Sequence, residues 1–250
     1  VLELDLRGPG CDERAEEYRL ADRDRPYVLA RDPLLRVMVL RVAADRFEIV
    51  WSHHHIILDG WSIGLLIAEL LEIYIALRAN VIPKLATTPS FATFVKWLQA
   101  QDRDDALDYW ARRLQDCEEP TGINHTRRTD AVLGGARETI HFELGVATTE
   151  GLKALASGRE STLAMILQAI WALLLSRYTD RGDVVFGSVV SGRPPEIPGV
   201  EGIVGNFINT IPVRVRLDEG GTFNELLARM QLDAADANAF EHVALSEILA

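Results

Sequence analysis

The hydrophobic pattern of this chain changes its period at one place, and this change constrains the fold more than any other feature. Before it, two β-rich runs lie on either side of residues 44–46 in "LLRVMVLRVAADRFEIVWSHHH", which is the pattern of an antiparallel hairpin. After Gly60, apolar residues recur at helical spacing from Ile63 to Tyr74 and form one stripe. The sequence therefore predicts a strand-to-helix turn at "HHHIILDG".

The remaining sequence mixes predicted strands with long helices. Helices are predicted between residues 91 and 114 and in "STLAMILQAIWALLLSRY" and "TFNELLARMQLDAADANAFEH". The helix in "STLAMILQAIWALLLSRY" is apolar on nearly every face, which is typical of a helix buried between layers. Strands are predicted in "RETIHFEL", "DVVFGSVVSGR" and "NFINTIPVRVRL". Strands and helices in both halves of the chain indicate an α/β fold with two sandwich-like lobes.

A stretch that is poor in periodicity divides the chain. Residues 117–135, "CEEPTGINHTRRTDAVLGG", are rich in turn-forming residues, so we place a boundary between lobes there. The expected organisation is an N-terminal lobe at residues 1–117, a linker at residues 118–135 and a C-terminal lobe at residues 136–250.

The net charge limits which kinds of partner the protein can bind, and the cysteine content indicates the redox state of its compartment. A formal net charge of −11 argues against nucleic acid and anionic membranes, because binding by counterion release needs a concentrated basic face. Cys11 and Cys117 lack the spacing of metal ligands and fit a reducing compartment. The most apolar run, residues 163–175, is interrupted by Gln168 and is too short for a bilayer. We therefore predict a cytoplasmic protein without a membrane-spanning segment or signal peptide.

Three of the 6 histidines lie together at the predicted turn. Alternate side chains of a strand face opposite ways, so His53 and His55 share one side and His54 faces the other. Asp59 lies where a carboxylate caps a helix, and Gly60 allows the backbone to turn sharply. An imidazole at a strand end with a fixed carboxylate nearby suits proton transfer near neutral pH. Buried, hydrogen-bonded histidines beside a simple cap are the alternative, and the pattern alone leaves both open.

Two other chemistries fit the turn less well. His53, His55 and Asp59 supply three possible metal ligands, but "HExxH" and paired cysteines are missing, and adjacent strand histidines point apart. We predict no metal site. His54 and Asp59 also match the short His-x4-Asp pattern of membrane glycerolipid acyltransferases, and the predicted lack of a membrane segment weighs against that class.

The stretch "HHIILDG", residues 54–60, matches the "HHxxxDG" signature of the condensation domains of non-ribosomal peptide synthetases, which are relatives of chloramphenicol acetyltransferase. Further core motifs of the family, in the family's order, resemble "RDPLLRVMVLRV", "DYWARRL", "LLLSRYTDRGDVVFGSVVSGRP" and "VEGIVGNFINTIPVRV". The resemblance covers essentially all 250 residues. Family members are longer, so we expect both lobes to be incomplete, without the N-terminal strands of the first lobe and the last part of the second.

The resemblance implies two chloramphenicol acetyltransferase-like α/β sandwich lobes with a tunnel and the active site between them. It also implies amide synthesis, in which the α-amine of an aminoacyl group on a downstream carrier attacks the thioester of an aminoacyl or peptidyl group on an upstream carrier. Phosphopantetheine arms of the carriers deliver both substrates, and the domain binds no cofactor of its own. The expected partners are these donor and acceptor carrier domains and the adenylation domain of the same module, with the chain monomeric within a multidomain synthetase.

The resemblance assigns a role to each residue at the turn. His55 is the catalytic histidine, His54 supports it, Asp59 holds the loop and Gly60 permits it. In the family, the aspartate pairs with an arginine from elsewhere in the fold. Arg193 in "VVSGRP" is our candidate, and a surface arginine after a strand is the alternative.

Three further positions are candidates for the wall of the tunnel, namely Trp61, Ser62 and Asn209. Each also has a structural alternative. Trp61 fits a core residue, Ser62 fits a helix cap, and Asn209 fits a turn or bulge.

A neutral imidazole suits the implied reaction. An α-amine titrates at about pH 7.7 to 8.0 and histidine at about 6.5, so near neutral pH much of the amine is protonated while most of the imidazole is not. Three roles are open to His55, which are to orient the amine, to accept its proton, or to stabilise the tetrahedral intermediate.

Related subtypes differ around the signature. Epimerisation domains share "HHxxxD" but continue with a "Ser-Trp-Arg" type segment, whereas this chain continues as "DGWSIGLL", and heterocyclisation domains replace the histidines with aspartates. These features favour the elongation subtype of condensation domain with an L-configured donor. An epimerisation-type relative and a non-catalytic domain that recruits tailoring enzymes to a carrier-bound peptide are the alternatives, and the intact His55 argues against the second.

Overall fold

The computed structural model describes residues 1–117, 121–122 and 139–250. Within these ranges the chain is a mixed α/β protein, as predicted. Its strands are β1 (Leu2–Asp5), β2 (Leu35–Arg41), β3 (Phe47–His53), β4 (Asp183–Val190) and β5 (Asn209–Arg216). Its α-helices are α1 (Cys11–Asp24), α2 (Gly60–Arg78), α3 (Phe91–Gln99), α4 (Arg103–Leu114), α5 (Val146–Gly158), α6 (Leu163–Thr179), α7 (Phe223–Ala237) and α8 (Leu245–Ile248).

The first sheet has the order β1-β2-β3 and carries the histidines at one end. β1 is parallel to β2, and β2 is antiparallel to β3 with Leu35 opposite His53, so the predicted hairpin is present. Alternate residues of β2 face α1, because strand side chains alternate between the two faces of a sheet. The resulting core contains Leu6, Ala15, Met38, Leu40 and Val42.

The second sheet consists of β4 and β5, which pair antiparallel with Asp183 opposite Arg216. α6 and α7 cover this sheet, and their apolar residues form the largest core cluster of the described chain. Its most buried members are Ile166, Ala169, Ala172, Val184 and Leu227. The small alanines allow α6 to approach its neighbours closely on this face. The helix is not buried on every side, since Leu167, Trp171 and Leu174 are 46%, 42% and 43% exposed.

The strand-to-helix turn lies where the sequence predicts it. β3 ends at His53, residues 54–59 form the turn, and α2 begins at Gly60 with Asp59 as its N-cap. The apolar stripe of α2 is less buried than its pattern suggests, since Ser62 is the only residue of this helix that is buried. Leu71 and Tyr74 within the stripe are 53% and 55% exposed.

By length and composition, α2 is the one single helix among the described residues that is long and apolar enough to cross a membrane. It has 19 residues and a mean hydropathy of 1.7. α5 and α6 meet the same criterion only as a pair, and they are bent by 105° at their break. Glu69 and Glu72 are the two acidic residues within this apolar helix.

The described residues form two compact units. The first contains Val1–Gln99 and Arg193–Ile208, and the second contains Ala100–Gly192 and Asn209–Ala250. These units group residues 193–208 with the N-terminal part of the chain. The lobe boundaries at residues 117 and 136 stay a prediction, and the predicted linker lies outside the described residues except at positions 121 and 122.

Three predicted elements differ from the structure. The described part of "RETIHFEL" is not a strand, and Ile140 and Phe142 are 86% and 80% exposed with no strand paired to them in the described ranges. The predicted strand "NFINTIPVRVRL" begins only at Asn209, because the N–H of Phe207 binds a carboxylate rather than a neighbouring strand. The long final helix stops at Ala237 and continues as a single 3-10 turn.

Candidate active site

Asp59 is the centre of the turn that follows the histidines. Its Oδ1 accepts a hydrogen bond from the backbone N–H of Ser62 at 2.7 Å, which is the geometry of a helix N-cap. Its Oδ2 accepts a second backbone N–H, from Phe207, at 3.1 Å. The carboxylate is 1% exposed, so its negative charge is balanced by protein groups rather than by water.

Arg193 supplies the positive charge opposite Asp59. Its Nη2 lies 3.3 Å from both carboxylate oxygens, while its Nη1 donates to the carbonyls of Val200 and Ile203 at 2.7 and 2.9 Å. The guanidinium also lies over the ring of Phe207, 4.0 Å from its centroid. The side chain is 7% exposed, so the alternative of a surface arginine is wrong.

Ser62 joins the first turn of α2 to the segment that precedes β5. Its hydroxyl donates to the carbonyl of Gly205 at 2.7 Å and accepts from the N–H of Gly205 at 3.0 Å and from Nη2 of Arg193 at 3.1 Å. The N–H of Asp59 also donates to the Gly205 carbonyl, at 3.3 Å. Ser62 is therefore more than a helix cap. We call Asp59, Ser62, Arg193 and Gly205 the latch.

Opposing effects set the pKa of the Asp59 carboxyl. Burial raises this pKa, but the hydrogen bonds from Ser62 and from the N–H of Phe207, together with the charge of Arg193, outweigh burial, and the pKa lies below its ordinary value. The carboxylate is therefore ionised at neutral pH with its lone pairs occupied. This arrangement suits a structural anion and leaves Asp59 unsuited to act as a general base.

The three histidines lie at the other end of the turn. The backbone N–H of His54 donates to the carbonyl of Leu34 at 2.9 Å, and Nδ1 of His54 accepts from the N–H of Ile56 at 3.1 Å. The second bond places the proton of the neutral His54 ring on Nε2. The His54 ring is thus committed to holding the turn.

His53 and His55 share one side, with ring centroids 6.4 Å apart. Burial, followed by the neighbouring charge of His55, lowers the pKa of His53 and keeps that imidazole neutral. His55 is the most exposed of the three, and no hydrogen bond to its ring is present within residues 1–117, 121–122 and 139–250. Its nitrogens are therefore accessible to a substrate.

The other predicted site residues have separate positions. Trp61 is 58% exposed and its indole N–H donates to the carbonyl of Glu201 at 2.7 Å, so it is not a core residue. Asn209 belongs to the second compact unit, where its Nδ2 donates to the carbonyls of Glu241 and Val243 at 2.7 and 2.6 Å. These bonds occupy the donor end of the Asn209 side chain and support the alternative of a structural asparagine.

Two glycines have roles that differ from the expectation. A Cβ added to Gly60 meets nothing within 4 Å, and the residue does not have a left-handed backbone, so the structure shows no steric need for glycine there. A Cβ added to Gly205 would lie 2.1 Å from the ring of Phe91. Sequence reasoning missed Gly205, although it stands in the quoted motif "VEGIVGNFINT", because a motif does not say what approaches a glycine.

The side chains at the turn do not form a ligand set for a metal ion. Within the described ranges, no group of three or more His, Cys, Asp or Glu side chains is arranged to hold an ion. Both oxygens of Asp59 are already engaged by N–H donors and Arg193. What the turn offers instead is an exposed imidazole on a backbone fixed by an ionised, buried latch.

Comparisons with known proteins agree on one family. The family model described as "Condensation domain" matches residues 5–250. Bacitracin synthase 3 from Bacillus licheniformis is 37% identical over 248 residues, a match that spans 99% of this chain and only 4% of that protein. Tyrocidine synthase 2 from Brevibacillus parabrevis is 37% identical over 244 residues, which are 95% of this chain and 7% of that protein. The chain thus corresponds to a small part of each of these relatives.

Two solved structures share the fold over almost the whole chain. The first condensation domain of the CDA synthetase matches with a TM-score of 0.75 and 23% identity, covering 99% of this chain and 56% of that one. The X-domain from teicoplanin biosynthesis matches with a TM-score of 0.81 and 24% identity, again covering 99% of this chain and 56% of that one. This chain therefore spans about half the length of these structures.

Proposed function

The chain belongs to the condensation-domain family, and on this premise we propose that it catalyses amide-bond formation between two carrier-bound acyl groups with His55 at the reacting centre. The observation that carries the proposal is the exposed imidazole of His55 at the end of a turn that the latch holds in place. Such an imidazole can reach a substrate while its backbone stays fixed, which is the requirement for an effective proton acceptor.

The proposed reaction transfers the donor acyl group from sulfur to nitrogen. The nitrogen of the acceptor α-amine forms a bond to the thioester carbonyl carbon of the donor, and the carbon–sulfur bond breaks. The nitrogen loses one proton to the His55 imidazole, and the imidazole passes this proton to the departing thiolate, so the imidazole is regenerated. Because the thioester is already activated, the positioning of two tethered substrates supplies much of the rate, and His55 adds proton transfer to it.

The latch has a supporting role in this proposal. Asp59 and Arg193 neutralise each other in a buried position, and Ser62 fastens the start of α2 to residue 205. The polar groups of these three residues are engaged within the protein, whereas the ring of His55 is exposed. They act by fixing the backbone that presents His55.

The proposed substrates and partners follow from the family. The two acyl groups arrive on phosphopantetheine arms of an upstream donor carrier and a downstream acceptor carrier, and the chain itself holds no resident cofactor. An adenylation domain of the same module loads the acceptor carrier. We place the protein in the cytoplasm, where such carriers and their aminoacyl groups are made available.

A reconstituted reaction tests the proposal. Both carriers are loaded, one with a donor aminoacyl group and one with an acceptor, and dipeptide formation is followed by mass spectrometry with wild-type protein, His55→Ala and the matched control His53→Ala. We expect product with the wild type, a loss of at least about tenfold in rate with His55→Ala, and a smaller effect of His53→Ala. An unchanged rate with His55→Ala removes this residue from the mechanism.

The same reaction separates catalysis from the two alternatives. The X-domain of teicoplanin biosynthesis shares the fold, but an identity of 24% carries no statement about activity. If the wild type yields no dipeptide although both loaded carriers bind, a docking function is favoured. If the wild type instead inverts the α-carbon of a carrier-bound residue, which chiral chromatography of the released amino acid detects, an epimerisation-type function is favoured.

A further inference from the structure

A second buried ion pair lies beside the histidines, outside the latch. Asp22, near the end of α1, accepts a hydrogen bond from Nε of Arg36 at 2.8 Å, and its other carboxylate oxygen accepts one from the hydroxyl of Ser52. The side chains of Arg36 and Asp22 are 13% and 9% exposed. Arg36 and Ser52 face each other across β2 and β3, and the next residue of β3 is His53.

Arg36 does more than neutralise Asp22. Its Nη2 donates to the backbone carbonyls of Asp22 and Arg25 at 3.0 and 3.2 Å, at the end of α1, where the Asp22 carbonyl also accepts the N–H of Arg25. The guanidinium thus joins the end of α1 to β2 at the level of the histidines. Five fixed N–H donors on one plane make arginine suited to this task, and lysine cannot reproduce it.

The face of this guanidinium carries an aromatic ring. Arg36 lies over the ring of Tyr27, 4.0 Å from its centroid. The Tyr27 ring in turn meets the ring of His54 edge to face, with centroids 5.8 Å apart and an angle of 89° between the planes. A continuous series of contacts therefore runs from the ion pair, through Arg36 and Tyr27, to His54.

The hydroxyl of Tyr27 has no part in this series. Tyr27 Oη is buried and has no hydrogen-bond partner in the described part of the chain, and burial raises its pKa, so it stays protonated. Nη1 of Arg36 is likewise buried and without a partner there. The aromatic ring, and not the hydroxyl, is what contacts both neighbours.

We propose that Tyr27, held by Arg36, is a positioning residue that fixes the ring of His54 and thereby the backbone that presents His55. The ring of His54 accepts the N–H of Ile56, the residue directly after His55, at 3.1 Å. A rotation of the His54 ring therefore breaks the hydrogen bond that closes the turn on the far side of His55. The catalytic consequence rests on the proposed function, whereas the positioning of His54 does not.

The experiment compares three variants of the full chain that change the series in different ways. Tyr27→Phe keeps the ring and removes only the unpartnered hydroxyl, and Tyr27→Leu removes the ring. Arg36→Lys keeps the positive charge but removes the planar guanidinium that stacks on the Tyr27 ring. Arg46→Lys is the matched control, since Arg46 pairs with Asp12 in an exposed position at the opposite end of the hairpin. Circular dichroism establishes that each variant is folded at the temperature of the assay.

Two readouts are needed. In the dipeptide reaction we expect kcat to fall about tenfold or more in Tyr27→Leu and Arg36→Lys with little change in KM, because the reacting group is misplaced while substrate binding is intact. We expect Tyr27→Phe and Arg46→Lys to retain the wild-type kcat. Nitrogen-15 spectra of the histidine rings are the second readout, in which the unprotonated Nδ1 of His54 changes its shift in Tyr27→Leu and Arg36→Lys only.

Each outcome bears on one proposal or the other. Wild-type protein that makes no dipeptide contradicts the proposed function, and the ring spectra still test the positioning of His54. Wild-type spectra in Tyr27→Leu, or in Arg36→Lys if Tyr27→Leu does not fold, overturn the positioning. A Tyr27→Phe variant that loses as much kcat as Tyr27→Leu also overturns it, because the hydroxyl would then be the acting group.

Discussion

The guanidinium of Arg193 lies 3.3 Å from both carboxylate oxygens of Asp59, although the two residues are 134 positions apart in the chain. The pair is buried, and each partner has further hydrogen bonds that hold it in place. A buried pair of this kind contributes little compared with a well-packed apolar pair, but the loss of one partner leaves an uncompensated charge. The pair therefore fixes the conformation of the turn, and it adds little net stability compared with an apolar pair at the same place.

Removal of either partner is expected to destabilise the protein strongly. Asp59→Ala and Arg193→Ala should each lower the free energy of unfolding by about 3–5 kcal/mol, because the remaining buried charge is no longer balanced by the opposite charge of this pair. The double variant should lose less than the sum of the two, with a coupling of about 1–3 kcal/mol. Urea denaturation of the four proteins measures the cycle. Strictly additive losses would show that the two side chains act independently.

The lowered pKa of Asp59 predicts how this stability depends on pH. A carboxyl whose pKa is lower in the folded than in the unfolded state adds stability above its unfolded value of about 4, and this contribution is lost as the pH falls through the folded pKa. The difference in unfolding free energy between wild type and Asp59→Asn should be constant between about pH 5 and 7 and should shrink below about pH 4.

Urea denaturation of both proteins at pH steps from 6 to 2 measures this difference. Other carboxyls with lowered pKa values, such as Asp22 and Asp183, are present in both proteins and cancel in the comparison. A difference that stays the same down to the lowest pH would mean that Asp59 has an unshifted pKa in the folded protein.

Local features of the fold were predictable from the sequence. The hairpin, the turn and the helix start at Gly60 follow from the change in hydrophobic period and from a carboxylate at the cap position, which depend only on neighbouring residues. For the same reason, the shared side of His53 and His55 follows from strand geometry alone. The fold class was likewise predictable, since strands and helices alternate in both halves of the chain.

Features that depend on distant residues were not predictable in this way. Arg193 became a candidate partner of Asp59 only through the family resemblance, and the bonds of Ser62 to Gly205 have no local signal, because hydrogen-bond capacity does not specify a partner. The predicted strand at Phe207 failed because its N–H is taken by Asp59. Periodicity also states which face of α2 is apolar, but not whether another element covers it.

Loss of the Ser62 hydroxyl is expected to weaken the latch without removing a charge. Ser62→Ala removes the acceptor of the buried Gly205 N–H, one of the two donors to the Gly205 carbonyl and one acceptor of Arg193, which should cost about 1–3 kcal/mol. Ser246→Ala, at an exposed position in α8, is the matched control and should change stability by less than about 0.5 kcal/mol. Thermal unfolding measures both, and equal effects would show that the hydroxyl network contributes nothing.

A methyl group at residue 205 should be far more harmful than one at residue 60. In Gly205→Ala the new Cβ would lie 2.1 Å from the ring of Phe91. The centroid of the Phe91 ring lies 5.1 Å from that of the Phe207 ring, so either the Phe91 ring or the latch must move. We expect a loss of about 1–3 kcal/mol from this overpacking. Gly60→Ala is the matched control, and it should be neutral or stabilising because the added methyl meets nothing within 4 Å and alanine favours the helix.

Chemical denaturation of the two alanine variants measures the contrast between these glycines. Because Gly205 also binds Ser62, the displacement that relieves the clash should reach the turn, and Gly205→Ala should reduce the rate of dipeptide formation as well as stability. A smaller side chain opposite the new methyl, in the double variant of Gly205→Ala with Phe91→Leu, should restore part of both losses. If this double variant recovers neither, the contact with Phe91 is not the reason for glycine at residue 205.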